Sequence, residues 1–216
     1  MARPEPDDIS SPHPDPPPDL LQRTLPITDY SSELYRIHRL KHAAKFFGRS
    51  RTHRWDAPHG EYGVMYTGGT PFVSFAETLL PAPGTLARIT VSATGATVPV
   101  SGSMVASHGL ARVTPVEPLR CVDLRGPGLA RVGADGRLTT GSHLVAQRWS
   151  LALWAHPSAP DGILYRSRRD PDDTALAIFD RAGGKTRVDP LGGLKEPRHR
   201  ELLARIYERY GVGELP

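Results

Sequence analysis

The sequence predicts a compact α+β domain centred on a mixed sheet, and three observations lead there. Strand-like alternation and helix-like periodicity both occur, but they do not alternate as a doubly wound parallel sheet requires. No internal repeat is present. A chain of 216 residues is long enough for one domain with a sizeable core.

Composition narrows the class. Hydrophobic residues make up 38 % and charged residues 23 %, ordinary values for a soluble protein with loops. No run approaches the roughly 18 apolar residues of a membrane helix. No apolar stretch follows the N-terminal Met-Ala-Arg, so no secretory signal is expected and the cytoplasm is the expected compartment. The single cysteine, Cys121, excludes an internal disulfide and a cysteine-based zinc cage. Net charge is +4, with Arg and Lys scattered among Asp and Glu. Basic side chains are not interleaved with aromatics on one surface, which argues against a nucleic-acid-binding module. The excess equally suits an enzyme for a polyanionic small molecule.

Along the chain, residues 1–26 hold eight prolines and few large apolar residues, so a disordered or loosely docked tail is expected there. The domain is expected over residues 27–216. Leu34-Tyr35-Arg36-Ile37-His38 alternates like a half-buried strand. Residues 47–62 show no periodicity and read as a loop, with Trp55 as its anchor. Gly63–Thr67 reads as a strand ended by Gly68-Gly69. Thr70 as N-cap, Pro71 in the first turn and Phe72, Phe75, Ala76, Leu79 and Leu80 on one face then spell a helix. It must stop by Pro81 or Pro83. Further strands are expected at Leu86–Ser92, Cys121–Leu124, Gly162–Ser167 and Thr174–Phe179, with a helix from Ser142 to Ala155. A last helix over residues 196–210 carries Leu202, Leu203, Ile206, Tyr207 and Tyr210 on one face, with Gly211 as its C-cap. Its expected role is structural.

Several familiar motifs are absent. There is no phosphate loop, no dinucleotide fingerprint and no nucleophile elbow. The glycines of GPGLARVGADG have the wrong spacing and read as a loop. His38 and His42 have zinc-pair spacing, but the string HRLKH lacks the adjacent glutamate, so no metal site is expected. Cys121 reads as a small core residue.

Four pieces remain: Tyr35-Arg36-Ile37-His38; Arg54-Trp55-Asp56 before the Gly63–Thr67 strand; Phe75-Ala76-Glu77 on the following helix; and Gly162-Ile163-Leu164-Tyr165-Arg166-Ser167-Arg168. Their order and spacing, from about residue 34 to residue 180, resemble the RES domain, named for its Arg, Glu and Ser. The resemblance implies an ADP-ribosyltransferase-like fold, a small split mixed sheet with flanking helices and NAD⁺ in the cleft. It also implies a toxin that degrades NAD⁺, with phosphorolysis as one known route, held inactive by a separate antitoxin chain. Asp56 stands where the family commonly has asparagine, and Thr52-His53 where it commonly has glycines.

The residue chemistry is compatible. Nicotinamide departs neutral, so cleaving its bond to ribose needs no general acid, only stabilisation of an oxocarbenium-like state. Arg36 can grip phosphate in bidentate fashion, and Arg54 can hold a second phosphate or the incoming one. Glu77 can hydrogen-bond a ribose hydroxyl and stabilise the cation. Tyr66 offers a ring face for stacking, Ser167 can bind substrate or orient Glu77, and Tyr35 is a weaker binding candidate. The expected catalytic set is thus Arg36, Glu77 and Ser167, with Arg54, Tyr66 and Tyr35 binding. NAD⁺ enters as substrate and inorganic phosphate as co-substrate, with no resident cofactor. NAD⁺ glycohydrolysis and mono-ADP-ribosyl transfer are alternatives on the same site.

Overall fold

In the computed structural model, residues 13–81 and 98–215 are described. The expected strand Leu86–Ser92 lies outside them. The strands are β1 (Ile27–Tyr30), β2 (Leu34–Arg39), β3 (Val64–Gly68), β4 (Val98–Ser101), β5 (His108–Pro115), β6 (Leu119–Asp123), β7 (Gly162–Arg166), β8 (Thr174–Phe179), β9 (Thr186–Gly193) and β10 (Val212–Leu215). The helices are α1 (Pro71–Leu79), α2 (Gly102–Ala106), α3 (Pro127–Val132), α4 (Arg137–Thr140), α5 (His143–Trp154) and α6 (Arg200–Tyr210). Among the described residues no helix is long and apolar enough to cross a membrane.

Eight strands form one mixed sheet in the order β1-β6-β7-β8-β3-β2-β5-β9, and β4 pairs with β10 separately. Among the described residues, only β6 and β7 run parallel within the large sheet. The sheet is split near its middle. β3 meets β8 through five register pairs and β5 meets β2 through six, whereas β2 meets β3 only at Tyr35–Gly68.

The residues around this seam explain its geometry. A Cβ on Gly68 would sit 2.4 Å from Val73 Cγ1, so only glycine lets α1 press against the end of β3. Thr70 caps α1 by accepting from the Val73 amide at 3.3 Å, with Pro71 in the first turn as the sequence predicts. Val73, Phe75, Ala76 and Leu79 are buried, which leaves Glu77 on the helix's open side. Ser74 Oγ donates 2.8 Å to the Tyr35 carbonyl, tying α1 to β2.

Period-two alternation sorts the strand residues onto two faces. Val64, Val122, Ile163 and Ala177 pack on one face with Trp149 and Leu153 of α5. Met65, Cys121, Leu164, Leu176 and Ile178 pack on the other. A further cluster joins Phe75 and Leu79 of α1 to Ile37 of β2 and to Leu203 and Ile206 of α6. Gly211 ends α6 in the left-handed conformation at φ 61°, the C-cap the sequence predicts.

Three expectations need correction. Residues 13–26 are not a loose extension: Leu20 and Leu25 are buried in the first cluster, and Trp149 Nε1 donates 2.9 Å to the Pro14 carbonyl. Two leucines next to the prolines bury enough surface to hold the segment. The GPGLARVGADG stretch contains α3, entered after Gly126 and closed by Gly133 at φ 83°. Strands β1, β4, β5, β9 and β10 were not expected. β9 carries Pro190 and Gly192-Gly193, which suit an edge position and mask its periodicity.

The docking of residue 20 is testable. Leu20→Ala should cost about 2–4 kcal/mol in denaturant unfolding. A loss below about 0.5 kcal/mol would mean that Leu20 contributes no core packing.

Candidate active site

Glu77 occupies the open side of α1, facing the loop that follows β7. Its Oε1 accepts from Ser167 Oγ at 2.6 Å and from the Arg168 amide at 3.0 Å. Ser167 is buried, and its oxygen also accepts from the amides of Arg169 at 3.1 Å and Asp170 at 3.0 Å. A hydroxyl has two acceptor lone pairs and one proton. The two amides fill the lone pairs, so the proton is committed to Glu77. Among the described residues no hydrogen bond reaches Glu77 Oε2, which is left for a ligand.

Basic groups surround this carboxylate. The Arg54 guanidinium is buried, and desolvation chiefly, with the charge of Arg168, lowers its pKa to about 10. Glu77, Tyr165 and Tyr66 act on it in the opposite sense. Arg54 Nη1 donates 3.0 Å to the Leu138 carbonyl, while Nη2 is buried without a protein partner among the described residues. Such a donor suits an anionic ligand. Burial likewise lowers the pKa of Arg169, with Arg168 adding to the effect and Glu77 opposing it. Tyr165 is held protonated by burial and then by Glu77.

Tyr66 organises the loop that carries Arg54. Its hydroxyl donates 2.9 Å to Asp56 Oδ1 and accepts from the Trp55 amide at 2.9 Å. Asp56 Oδ2 in turn accepts from Ser50 Oγ at 2.8 Å and from the amides of Thr52 and His53, both at 3.1 Å. Asp56 is therefore the staple of residues 50–56. Burial, and then Asp56, pushes the Tyr66 pKa well above its usual value. With both hydroxyl functions engaged, the half-buried ring is what Tyr66 can still offer a ligand. Trp55 is fully buried, and Ser150 of α5 links its carbonyl (2.8 Å) to the Tyr62 hydroxyl (2.6 Å).

His143, at the start of α5, approaches the same loop, with Nδ1 3.0 Å from the Thr52 carbonyl. A carbonyl only accepts, so Nδ1 carries the proton. Burial above all lowers this imidazole's pKa, and Arg54, Arg168 and His53 add to it.

The structure thus brings Glu77, Ser167, Arg54 and Tyr66 into one neighbourhood. It does not join Arg36 to them by any hydrogen bond or ion pair among the described residues. Arg36 follows Tyr35 on β2, directly beyond the seam. Burial lowers its pKa to about 10, and its Nε is buried without a partner among the described residues. Alternation places it opposite Tyr35, which packs against the apolar cluster of α1 and α6. Sequence reasoning missed the roles of Arg168, Arg169, Asp56, Tyr165 and His143. Arg168-Arg169 directly after Ser167 was a usable signal. His143 lies 91 residues from its partner Thr52 and gave none.

The split sheet, the carboxylate held by Ser167 and the arginines near it define an α+β protein with an arginine-rich polar site beside Glu77. Residues 33–199 match the RES domain, and the chain belongs to that family. It is 35 % identical over 97 residues to a Sinorhizobium fredii (strain NBRC 101917 / NGR234) protein named probable toxin y4kH, covering 44 % of this chain and 74 % of that one. It also resembles a chain in the crystal structure of the M. tuberculosis MbcT–MbcA toxin–antitoxin complex. The TM-score is 0.59 at 18 % identity, over 87 % of this chain and 98 % of the other, which is a likeness of fold.

The Asp56 staple makes a local prediction. Asp56→Ala should speed hydrogen exchange at the Thr52 and His53 amides by about tenfold or more, since bonds to a charged acceptor contribute roughly 1.5–3 kcal/mol. Unchanged exchange at both amides would show that the loop is held by other contacts.

Proposed function

We propose that this protein cleaves the nicotinamide–ribose bond of NAD⁺, with inorganic phosphate as acceptor, and acts as the toxin of a toxin–antitoxin pair whose antitoxin is a separate chain. The observation that carries the reading is the geometry of Glu77: one oxygen fixed by Ser167 and the Arg168 amide, the other free, with Arg54, Arg168 and Arg169 nearby. Family membership supports it, as does the relative named a probable toxin.

In this reading the arginines take the charge of the pyrophosphate and of the incoming phosphate. Burial makes Arg54 and Arg169 effective, because a guanidinium with no carboxylate partner among the described residues gains most from an arriving anion. Arg36 at the seam supplies a further phosphate contact. Glu77 Oε2 accepts from a ribose hydroxyl and places negative charge near the anomeric carbon. The carbon–nitrogen bond breaks with its electron pair leaving on nicotinamide, and a phosphate oxygen bonds to the same carbon. Nicotinamide and ADP-ribose 1″-phosphate result. The Tyr66 ring stacks on the nicotinamide, and Tyr35 lines the α1 side of the cleft.

The test is to incubate the protein with NAD⁺, with and without phosphate, and to identify products by mass spectrometry. Phosphate-dependent nicotinamide release with ADP-ribose 1″-phosphate is expected. Phosphate-independent ADP-ribose would make water the acceptor, and no nicotinamide release would overturn the proposal. Arg54→Ala should raise KM for NAD⁺ or phosphate by about tenfold or more, the value of a charge-assisted bond.

A further inference from the structure

The Glu77–Ser167 bond joins two elements that are 90 residues apart, and α6 touches both of them. On the loop side, Asp170 is buried, and its Oδ2 accepts from Arg209 Nη2 at 2.7 Å and from the Tyr210 hydroxyl at 2.7 Å. The amide of the same Asp170 donates to Ser167 Oγ. On the helix side, the guanidinium carbons of Arg205 and Arg209 each lie 5.5 Å from the ring centre of Phe72, in the first turn of α1. Tyr207 meets Phe75 edge-on at 6.0 Å. Arg209 therefore contacts the helix that bears Glu77 and the loop that bears Ser167. The family match ends at residue 199, so α6 lies beyond it.

We propose that α6 clamps these two elements in register, with Arg209 and Tyr210 acting through Asp170 as positioning residues for the Ser167–Glu77 pair. The proposal rests on Glu77 being the reacting carboxylate. The physical chain is short. Anchoring the Asp170 side chain fixes its backbone amide, and that amide occupies one lone pair of Ser167 Oγ. With that lone pair filled, the hydroxyl proton has Glu77 as its direction. Releasing Asp170 frees the turn, and the hydroxyl then has other orientations open to it. A displacement of about 1 Å at a reacting group can lower turnover by about a hundredfold, so a small loosening is measurable.

The experiment uses the full chain and three variants, Tyr210→Phe, Arg209→Ala and Arg209→Lys. It reads amide hydrogen exchange, the thermal midpoint and NAD⁺ cleavage. Tyr210→Phe removes one hydroxyl and leaves the apolar face of α6 intact, so it keeps the test usable if Arg209→Ala folds poorly. In both of these variants the Arg169 and Asp170 amides should exchange about tenfold faster while β3 and β8 amides stay unchanged. The kcat for NAD⁺ should fall about tenfold with KM within about twofold. Arg209→Lys, which keeps a donor for Asp170, should recover part of both effects. Unchanged exchange at residues 169–170, or a uniform increase along the whole chain, would overturn the clamp. Should the wild-type protein release no nicotinamide, the proposed function fails, and the exchange data still support or overturn the clamp.

Discussion

A single hydrogen bond, from Ser167 Oγ to Glu77 Oε1, carries the organisation of the site. It joins a helix that begins at the seam of the sheet to a loop that leaves the centre of it. Its direction is not free, because the amides of Arg169 and Asp170 fill both lone pairs of the hydroxyl. A carboxylate with one oxygen held in this way presents the other at a defined place. That is the preorganisation a cation-stabilising group requires, since its dipoles and charges are set before the reaction rather than during it.

The rest of the fold can be understood as support for that arrangement. Pairing of β2 with β3 at one register position opens the sheet, and Gly68 lets α1 pack directly against the opening. Apolar clusters on both faces, including fully buried Trp55, Trp149, Phe75 and Met65, resist collapse of the seam. The Nε of Arg36 beside the seam and the Nη2 of Arg54 near Glu77, both unpartnered among the described residues, are costs to the isolated protein. Buried donors without acceptors concentrate where a ligand is meant to supply them. The Asp56 carboxylate sets the Arg54 loop by local bonds to Thr52, His53 and Ser50, so this loop keeps its shape without a glycine at residues 50–56.

Much of this was legible in the sequence, for physical reasons that differ by element. The α1 helix was readable because its cap, proline and apolar spacing all agree, and β7 and β8 because both run through the core as continuous apolar segments. Glu77, Ser167, Arg54 and Tyr66 were legible as a set through the resemblance, and the structure brings them together. Strands β5 and β9 were not legible, since their pairing is non-local and β9 is an edge strand broken by Pro190 and glycines. The prolines of residues 13–26 concealed Leu20 and Leu25, whose burial depends on Trp149 and its neighbours far along the chain. Composition averages over a segment, whereas docking needs only two well-placed side chains. The α6 contacts to Asp170 were hidden for a related reason: its amphipathic face explains the helix fully and draws attention away from Arg209 at its end.

The most direct test of the account separates binding from chemistry at Glu77. NAD⁺ affinity of Glu77→Gln would be measured by calorimetry beside single-turnover nicotinamide release from the same sample. The amide side chain keeps an acceptor oxygen for Ser167 and the Arg168 amide but removes the negative charge. The account predicts a Kd within about threefold of the wild type and a turnover rate lower by about a hundredfold or more. Turnover that survives the substitution, or a loss fully explained by weaker binding, would contradict it.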